Sequence, residues 1–255
     1  MIELYNRLTS TCSQKVRMCL AEKKLDYVNI WIDGNKKENL TPEYLALNPN
    51  GVVPTMVHDG KVIIDSSVIC EYLDEVFPEP GLAPADPVER AHMRAWMRFA
   101  EEVPTVAIRV PSFRMVLYTR FKEMDEQTFL KQEADIRPLR KHFYRRMGGA
   151  RGFTDEDVSA ALEELDLTLS RMEKSLAGGP WLLGKHFTLA DIILVPTIDR
   201  MNDLGLHTLW EKRYPRVKAW YGLVQHRESF KKAYVPGARY SEIRAIRGID
   251  VPLPC

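Results

Sequence analysis

The sequence predicts an α/β domain followed by an all-α helical bundle. Residues 1–77 alternate short runs of apolar, β-branched residues with segments of helical periodicity. After residue 88 the amphipathic segments have helical spacing, and none alternates as a strand would. A proline-rich stretch at residues 78–88 separates the two patterns and predicts a linker.

The first domain begins with a predicted β-α-β unit. Ile2, Leu4 and Tyr5 form a short apolar run, and Val16 and Leu20 then recur at helical spacing. The segment YVNIWID is rich in β-branched and aromatic residues and predicts a second strand, and EYLALNP predicts a short helix that ends at its proline.

The rest of the first domain is a predicted hairpin and helix. Residues 52–65 form two apolar runs joined by Asp59-Gly60, a dipeptide typical of tight antiparallel turns. A helix is expected from Ser66, where apolar residues take up helical spacing. The predicted order for residues 1–77 is therefore βαβαββα.

Residues 89–255 are predicted to form the helical bundle, because several segments carry apolar residues at helical spacings with charged residues between them. We expect one helix over residues 89–118. Residues 119–155 are highly charged and less periodic, which predicts a surface helix pair or a mobile excursion rather than a third core.

Composition excludes several classes of protein. The 36 Lys and Arg residues nearly balance the 35 Asp and Glu residues, so no global field attracts nucleic acid or an anionic membrane. The start MIELYNRL lacks the pattern of a secretory signal, and no apolar run has the length of a membrane span, so a cytoplasmic location is expected. Cys12, Cys19, Cys70 and Cys255 lack metal-ligand spacing and are predicted to be reduced thiols, with no structural metal.

The segment LTSTCSQKVR places small polar side chains at the start of the first helix. Thr11 and Gln14 fit a capping box, which would put Ser10 just before the helix and Cys12 and Ser13 in its first turn. These residues could simply close the helix end. Alternatively, the unpaired amides and the helix dipole could favour an anion such as a thiolate.

Two further motifs allow both a structural and a functional interpretation. Pro54 cannot donate to a strand ladder, and a cis bond before it would expose the backbone of Val53 to a ligand. Asp65 and Ser66 stand between a strand and a helix, where they could cap the helix or bind a charged group.

Two other patterns are expected to be structural. The segment Thr188 to Asp191 has the spacing of a helix capping box. Arg94, Arg98, Arg109 and Arg114 could face the first domain, but helical arginines are usually solvated, and we assign them no role.

In this order, these motifs resemble those of the cytosolic glutathione transferases along nearly the whole chain: a thioredoxin-like domain, a proline-rich linker and an all-helical domain. The segment from Ser10 to Arg17 is similar to that of zeta-class transferases and tetrachlorohydroquinone dehalogenases. Val53-Pro54 resembles the family's cis-proline motif, and Asp65-Ser66 resembles its γ-glutamyl-binding pair. Segments such as HDGKVIIDSSVICEYLDEVFPE also resemble bacterial β-aryl etherases.

The resemblance implies that Ser10 activates the glutathione sulfur and that Cys12 is an optional second nucleophile, with Ser13 beside them. The family often has Gln before its Val-Pro pair, where this chain has Val52, so Asn39 or Lys37 is expected to hold the glycine carboxylate of glutathione instead. The implied glutathione-binding residues are Ser10, Thr11, Asn39, Val52, Val53, Pro54, Asp65 and Ser66.

The expected function is glutathione-dependent displacement of an aryl ether oxygen or a halide from a small aromatic compound, in a pocket between the domains lined by helix 89–118. The resemblance also implies a homodimer. Two alternatives remain open: a zeta-like cis–trans isomerase, in which glutathione adds and leaves unchanged, and a non-catalytic binding protein that keeps the fold.

Overall fold

The computed structural model describes residues 1–249, Val251 and Pro254. Its first part has the predicted βαβαββα order. The strands are β1 (Ile2–Asn6), β2 (Val28–Trp31), β3 (Thr55–His58) and β4 (Lys61–Ile64). The helices are α1 (Thr11–Glu22), α2 (Pro42–Leu47) and α3 (Ser66–Val76), with a 3-10 turn at Glu38–Leu40.

The four strands form one sheet in the order β2-β1-β3-β4. Strand β1 pairs in parallel with β2, as the crossover through α1 requires, and antiparallel with β3. The predicted hairpin joins β3 and β4, and both residues of its turn, Asp59 and Gly60, have positive φ. The sheet with α1 and α3 forms the thioredoxin-like domain.

From residue 87 onward, helices and short turns account for the chain, and the described residues there contain no strand, only an isolated bridge between Trp181 and Gly184. The helices are α4 (Pro87–Glu102), α5 (Pro104–Ala107), α6 (Arg109–Met115), α7 (Glu126–Phe129), α8 (Lys141–Met147), α9 (Asp155–Ser175), α10 (Leu189–Asp203), α11 (Thr208–Glu211), α12 (Pro215–Gln225) and α13 (Glu228–Ala233). The predicted all-helical second domain is confirmed. Cys255 and residues 250, 252 and 253 of the predicted bundle lie outside the described residues.

The single helix expected over residues 89–118 is wrong. Helix α4 ends at Glu102, because Pro104 lacks a backbone N–H and starts a new short helix, α5. Ile108 then separates α5 from α6, and a 3-10 turn follows at Leu117–Arg120. These breaks turn α6 and the residues that follow it toward the first domain.

Residues 119–155 contain two short helices, α7 and α8, with mostly exposed or half-buried side chains, in agreement with the predicted surface helix pair, but the segment also sends aromatic side chains into the core. Phe121, Phe129 and Phe153 are almost fully buried there, and the Phe121 and Phe129 rings meet edge to face at 5.3 Å. The segment also contacts the first domain, where the Lys37 ammonium lies 2.7 Å from the Glu133 carboxylate. Aromatic burial, rather than regular helical periodicity, holds this segment in place.

The capping box at Thr188–Asp191 is confirmed. Asp191 is fully buried and accepts hydrogen bonds from the backbone N–H groups of Thr188 and Leu182, both at 3.0 Å, and from the Trp220 indole at 2.8 Å. Burial raises the pKa of Asp191 to about 6. Among the described residues, no helix is both long and apolar enough to span a bilayer.

Candidate active site

A cavity of about 200 Å³ lies between the two domains, at the N-terminus of α1. The first domain contributes the loop before α1, Asn39 and the loop before Pro54, and the second contributes α6 and the segment around α8. Its wall is formed by Arg7, Thr9, Ser10, Thr11, Cys12, Asn39, Gly51, Val52, Val53, Ile108, Arg109, Ser112, Phe113, Leu117, Arg120, Arg137, Arg140, Phe143, Tyr144, Arg200 and Tyr240.

A larger open groove, of about 840 Å³, lies between the linker and residues 181–188. It contains none of the residues expected to bind glutathione, and its described lining residues include no cysteine or serine. The smaller cavity is therefore the candidate active site, because a thiol, a hydroxyl and several cationic groups meet there.

Ser10, not Thr11, caps α1. The Ser10 hydroxyl oxygen accepts the backbone N–H of Ser13 at 3.3 Å, and Thr11 is the first helical residue. Gln14 donates instead to the carbonyl of Ala238 at 3.0 Å. The predicted Thr11–Gln14 capping box is therefore wrong, and the Ser10 hydroxyl proton is left to be donated into the cavity.

Cys12 is a free, partly exposed thiol in the cavity wall, next to the guanidinium of Arg109. Burial and the neighbouring Arg140 guanidinium lower the pKa of Arg109 to about 10, against the opposing effects of Cys12 and Glu101. Arg109 is thus still a cation at neutral pH. The Cys12 sulfur therefore lies beside both the N-terminus of α1 and a positively charged guanidinium.

The loop before β3 presents backbone groups to the cavity. The Val53–Pro54 peptide bond is cis. The Val52 carbonyl accepts hydrogen bonds from the Tyr44 hydroxyl at 2.7 Å and from the Asn48 amide at 2.9 Å. In the described part of the chain the N–H and carbonyl of Val53 form no hydrogen bond, so they are available to a peptide-like ligand.

Asp65 has an unusual backbone conformation, with φ 72° and ψ 126°. L residues rarely occupy this region, and such strain is concentrated at ligand sites. The Asp65 carboxylate caps α3 by accepting the backbone N–H groups of Ser67 at 2.9 Å and Val68 at 3.2 Å.

Comparison with known proteins identifies the family. The N-terminal domain model of glutathione S-transferases matches residues 9–76, and the C-terminal domain model matches residues 155–222. The maleylacetoacetate isomerase of Pseudomonas aeruginosa is 30% identical over 91% of this chain and 95% of its own length. The chain belongs to the glutathione S-transferase family.

Other members of the family are similar over comparable lengths. Protein LigF of Sphingobium sp. strain SYK-6 is 27% identical over 93% of this chain and 95% of its own length. The crystal structure of that beta-etherase matches with a TM-score of 0.78 at 29% identity, covering 91% of this chain and 98% of LigF. The tetrachloro-p-hydroquinone reductive dehalogenase of Sphingobium chlorophenolicum is 28% identical, covering 92% of this chain and 96% of its own length.

The structure brings together most of the residues that sequence reasoning singled out. The cavity wall contains Ser10, Thr11, Cys12, Asn39, Val52 and Val53. It does not contain Ser13, Pro54, Asp65 or Ser66. Ser13 is fully buried outside the cavity wall, and its hydroxyl accepts the backbone N–H of Arg7 at 3.3 Å.

Sequence reasoning missed the cationic side of the site. Six cavity residues are arginines: Arg7, Arg109, Arg120, Arg137, Arg140 and Arg200. Only Arg109 had been noted, and without a role. The others come from segments distant in sequence, and no local motif indicates that they meet. Among the described residues, no cluster of His, Cys, Asp and Glu side chains could hold a metal ion.

Proposed function

We propose that this glutathione S-transferase family member uses the thiolate of glutathione to displace an aryl ether oxygen or a halide from a small aromatic compound. The observation that carries the proposal is the meeting of the Ser10 hydroxyl and the Cys12 thiol in one cavity wall at the N-terminus of α1. The similarity to a beta-etherase and to a reductive dehalogenase over nearly the full chain supports it.

In this proposal Ser10 stabilises the glutathione thiolate. Because the Ser10 oxygen already accepts the Ser13 N–H, its proton is free to be donated to the incoming sulfur. The thiolate attacks the carbon that bears the ether oxygen or halide. A carbon–sulfur bond forms, and the electron pair of the broken bond leaves with the aryloxide or halide.

Glutathione would lie along the first domain. The free backbone groups of Val53 would pair with its peptide backbone, and Asp65 and Ser66 would bind its γ-glutamyl end. Asn39 donates to the Gly51 carbonyl at 2.7 Å and accepts from Arg7 at 3.2 Å, and Lys37 is paired with Glu133. We therefore assign the glycine carboxylate to Asn39 together with its neighbour Arg7.

Cys12 would act after the first displacement when the net reaction is a reductive dehalogenation. Its thiolate attacks the sulfur of the aryl–glutathione conjugate, so that a disulfide between Cys12 and glutathione forms and the aromatic carbon leaves with the electron pair and takes a proton. A second glutathione molecule then reduces that disulfide. In ether cleavage this step is not needed.

A second candidate is a cis–trans isomerase, which the 30% identity to the maleylacetoacetate isomerase favours. Glutathione would add to a double bond and leave unchanged after rotation. In either case we propose a cytoplasmic homodimer, as is typical of the family.

Product analysis tests the proposal. The protein is incubated with glutathione and, separately, an aryl ether, a chlorinated hydroquinone and maleylacetone, and the products are identified by mass spectrometry. Displacement predicts a glutathione conjugate, or oxidised glutathione with a dehalogenated product. An isomerised product with no net consumption of glutathione would contradict displacement and support the second candidate. No turnover of any of the three, from protein that binds glutathione, would support a binding protein.

A further inference from the structure

Two of the cavity arginines, Arg109 and Arg140, have no carboxylate or carbonyl partner among the described residues, and Arg109 forms a hydrogen bond only with the Cys12 thiol. Arg137 pairs with Glu133 at 2.8 Å, Arg200 with Asp203 at 3.4 Å, and Arg120 donates to the Gly34 carbonyl at 3.1 Å. Arg7 is held by Asn39 and by the Ile32 carbonyl. Within the described residues, by contrast, neither Arg109 nor Arg140 forms an ion pair or donates a hydrogen bond to an oxygen.

The Arg109 and Arg140 guanidinium groups belong to the same cavity wall. The charge of Arg140 lowers the pKa of Arg109 in the same cavity, and both groups lie in its wall with the Cys12 sulfur. The carboxylate of Glu101 is nearby, but it is bound by the Lys15 ammonium at 2.6 Å and by Ser67. Among the described residues that line the cavity, none is a carboxylate that could neutralise this pair.

Such a pair is unfavourable unless an anion binds it. Like charges repel, and removing them from bulk water without a partner adds a desolvation penalty. An anion placed between two guanidinium groups removes both costs, and guanidinium groups match carboxylate geometry well. The fold maintains this arrangement beside the proposed nucleophile.

The same wall also contains aromatic side chains. Phe113 lies 5.0 Å from Phe143 and 5.5 Å from Tyr144, measured between ring centroids, and both contacts are edge to face. Aromatic edges and faces favour a ligand that is itself a flat ring. A ring that carries an acidic group could bind the arginines through its charge and the aromatic side chains through its face.

We infer that the electrophile is an aromatic anion, whose carboxylate is bound by Arg109 and Arg140 while its ring lies against Phe113, Phe143 and Tyr144. This inference rests on the proposed function, because it names the substrate class of the same site. It assigns a specificity role to two arginines on the helical domain, opposite the glutathione-binding elements of the first domain.

A matched pair of electrophiles tests the inference. With glutathione, 4-chloro-3-nitrobenzoate and 4-chloro-3-nitrobenzamide differ mainly in charge at the position away from the leaving chloride. Each kcat/KM is divided by the uncatalysed rate constant for the same compound with glutathione. We expect the wild-type protein to favour the benzoate by about tenfold or more, as one charge-assisted hydrogen bond would provide.

Arg140→Ala should reduce this preference about tenfold, and Arg140→Lys should restore part of it. Arg98→Ala is the control, because Arg98 is an exposed arginine of α4 outside the cavity and its loss changes the net charge equally. A wild-type protein that turns over both compounds equally well would overturn the inference while leaving the displacement reaction intact.

Calorimetry with 3-nitrobenzoate and 3-nitrobenzamide, which have no leaving group, separates the two proposals. If the benzoate binds more tightly than the amide and loses that advantage in Arg140→Ala, the inference stands even where no displacement is observed. If Arg140→Ala weakens glutathione binding and leaves nitrobenzoate binding unchanged, the arginines bind glutathione, and the inference is wrong.

Discussion

The identity of the capping residue determines what the first helix can do. Because Ser10 caps α1 with its oxygen, its proton is available to a sulfur, and because Thr11 is helical, Cys12 stands at the second helical position in the cavity wall. With Thr11 as the cap, the Ser10 hydroxyl would have no fixed orientation. Because the cap is Ser10 rather than Thr11, the role proposed for Ser10 is strengthened.

The first prediction concerns Ser10→Ala. Loss of the hydroxyl removes the hydrogen bond to the glutathione thiolate, and we expect kcat/KM to fall about 10- to 100-fold, as expected for a hydrogen bond to a charged group. The thiol pKa of bound glutathione, followed by its ultraviolet absorbance, should rise at the same time. Ser10→Thr keeps the hydroxyl and is the matched control. An unchanged thiol pKa in Ser10→Ala would remove Ser10 from the chemistry.

The second prediction separates Cys12 from Ser10. In Cys12→Ala, ether cleavage should continue, because displacement by glutathione does not need the Cys12 thiol. Dehalogenation should stop at the aryl–glutathione conjugate, which mass spectrometry would detect. Cys19→Ala is a control for thiol loss, since Cys19 is buried outside the cavity. If the Cys12 variant releases fully dehalogenated product, the disulfide step is wrong.

At the scale of single residues, site residues were predictable where chemically reactive side chains lie close together in the sequence. Ser10 and Cys12 were found because a hydroxyl and a thiol stand at one helix start. Arg140 was not found, because it is one of many arginines in a charged segment, and only the folded structure shows that it has no side-chain partner among the described residues. Spacing alone does not distinguish Ser10 from Thr11 as the cap, since both side chains can accept the same kind of bond.

At the scale of elements, a buried ion pair connects α1 to α4. The Lys15 side chain is fully buried, and its ammonium donates to Glu101 at 2.6 Å and to Thr105 at 3.1 Å. Ser67 at the start of α3 donates to the same carboxylate. The pair therefore joins α1 of the first domain to α4, the first long helix of the second domain.

The third prediction is that Glu101→Gln lowers the free energy of unfolding by about 3 kcal/mol at neutral pH, since it leaves a buried ammonium without its counter-charge. Urea titration measures the change. Glu102→Gln is the matched control, because Glu102 is the adjacent exposed carboxylate. Equal stability of the two variants would contradict the role given to the pair.

The stability difference between the wild-type protein and Glu101→Gln should also change with pH in a definite direction. Burial raises the pKa of Glu101, but Lys15 and the hydrogen bonds outweigh it, so the pKa lies below its ordinary value of 4.5. Stabilisation by the pair is complete above that pH and is lost as the pH falls through the folded-state pKa. The difference between the wild-type protein and Glu101→Gln should therefore shrink below about pH 4.5. A difference that grows on acidification would contradict this account.

Some helices and strands were predicted correctly from the sequence and others were not, and each outcome has a physical reason. The hairpin was found because Asp59-Gly60 is a specific turn signal, and α3 was found because its apolar spacing is regular. The break between α4 and α5 was missed although Pro104 marks it, because apolar spacing continues on both sides. For residues 119–155 the sequence predicted the surface helix pair but not the buried aromatic side chains, because their contacts follow no local periodicity.

At the scale of the whole molecule, Arg17 connects the domains. It is almost fully buried, and its guanidinium donates to the Ala233 carbonyl at the end of α13, to the Asn6 side chain at 2.8 Å and to the Leu8 carbonyl at 2.8 Å. The N–H groups of the Arg17 guanidinium therefore form structural hydrogen bonds. Because it fixes the loop after β1, it also fixes the approach to Ser10.

The fourth prediction is that Arg17→Lys destabilises the protein by about 3 kcal/mol, because one ammonium group cannot satisfy acceptors on both domains. Thermal unfolding and urea titration measure the loss. The same replacement at exposed Arg98 is the control and should have little effect. Stability unchanged by Arg17→Lys would show that the domains are held together elsewhere.

The chain beyond α13 contributes to the wall of the candidate active site. The Asp203 carboxylate accepts the backbone N–H groups of Tyr240 at 2.8 Å and Ser241 at 2.9 Å, and the Arg200 guanidinium lies 3.8 Å from the centre of the Tyr240 ring. Tyr240 thereby reaches the cavity wall. The domain order was predictable from sequence, but this return of the chain to α1 was not, because no local pattern marks it.

Binding of glutathione to the intact protein tests the central claim most directly. Isothermal titration calorimetry of the wild-type chain with glutathione should give saturable binding at one site per chain. Binding should be weaker in Asp65→Ala, because the γ-glutamyl end would lose its proposed partner. The absence of saturable binding in protein whose circular dichroism shows the expected helical fold would contradict the account.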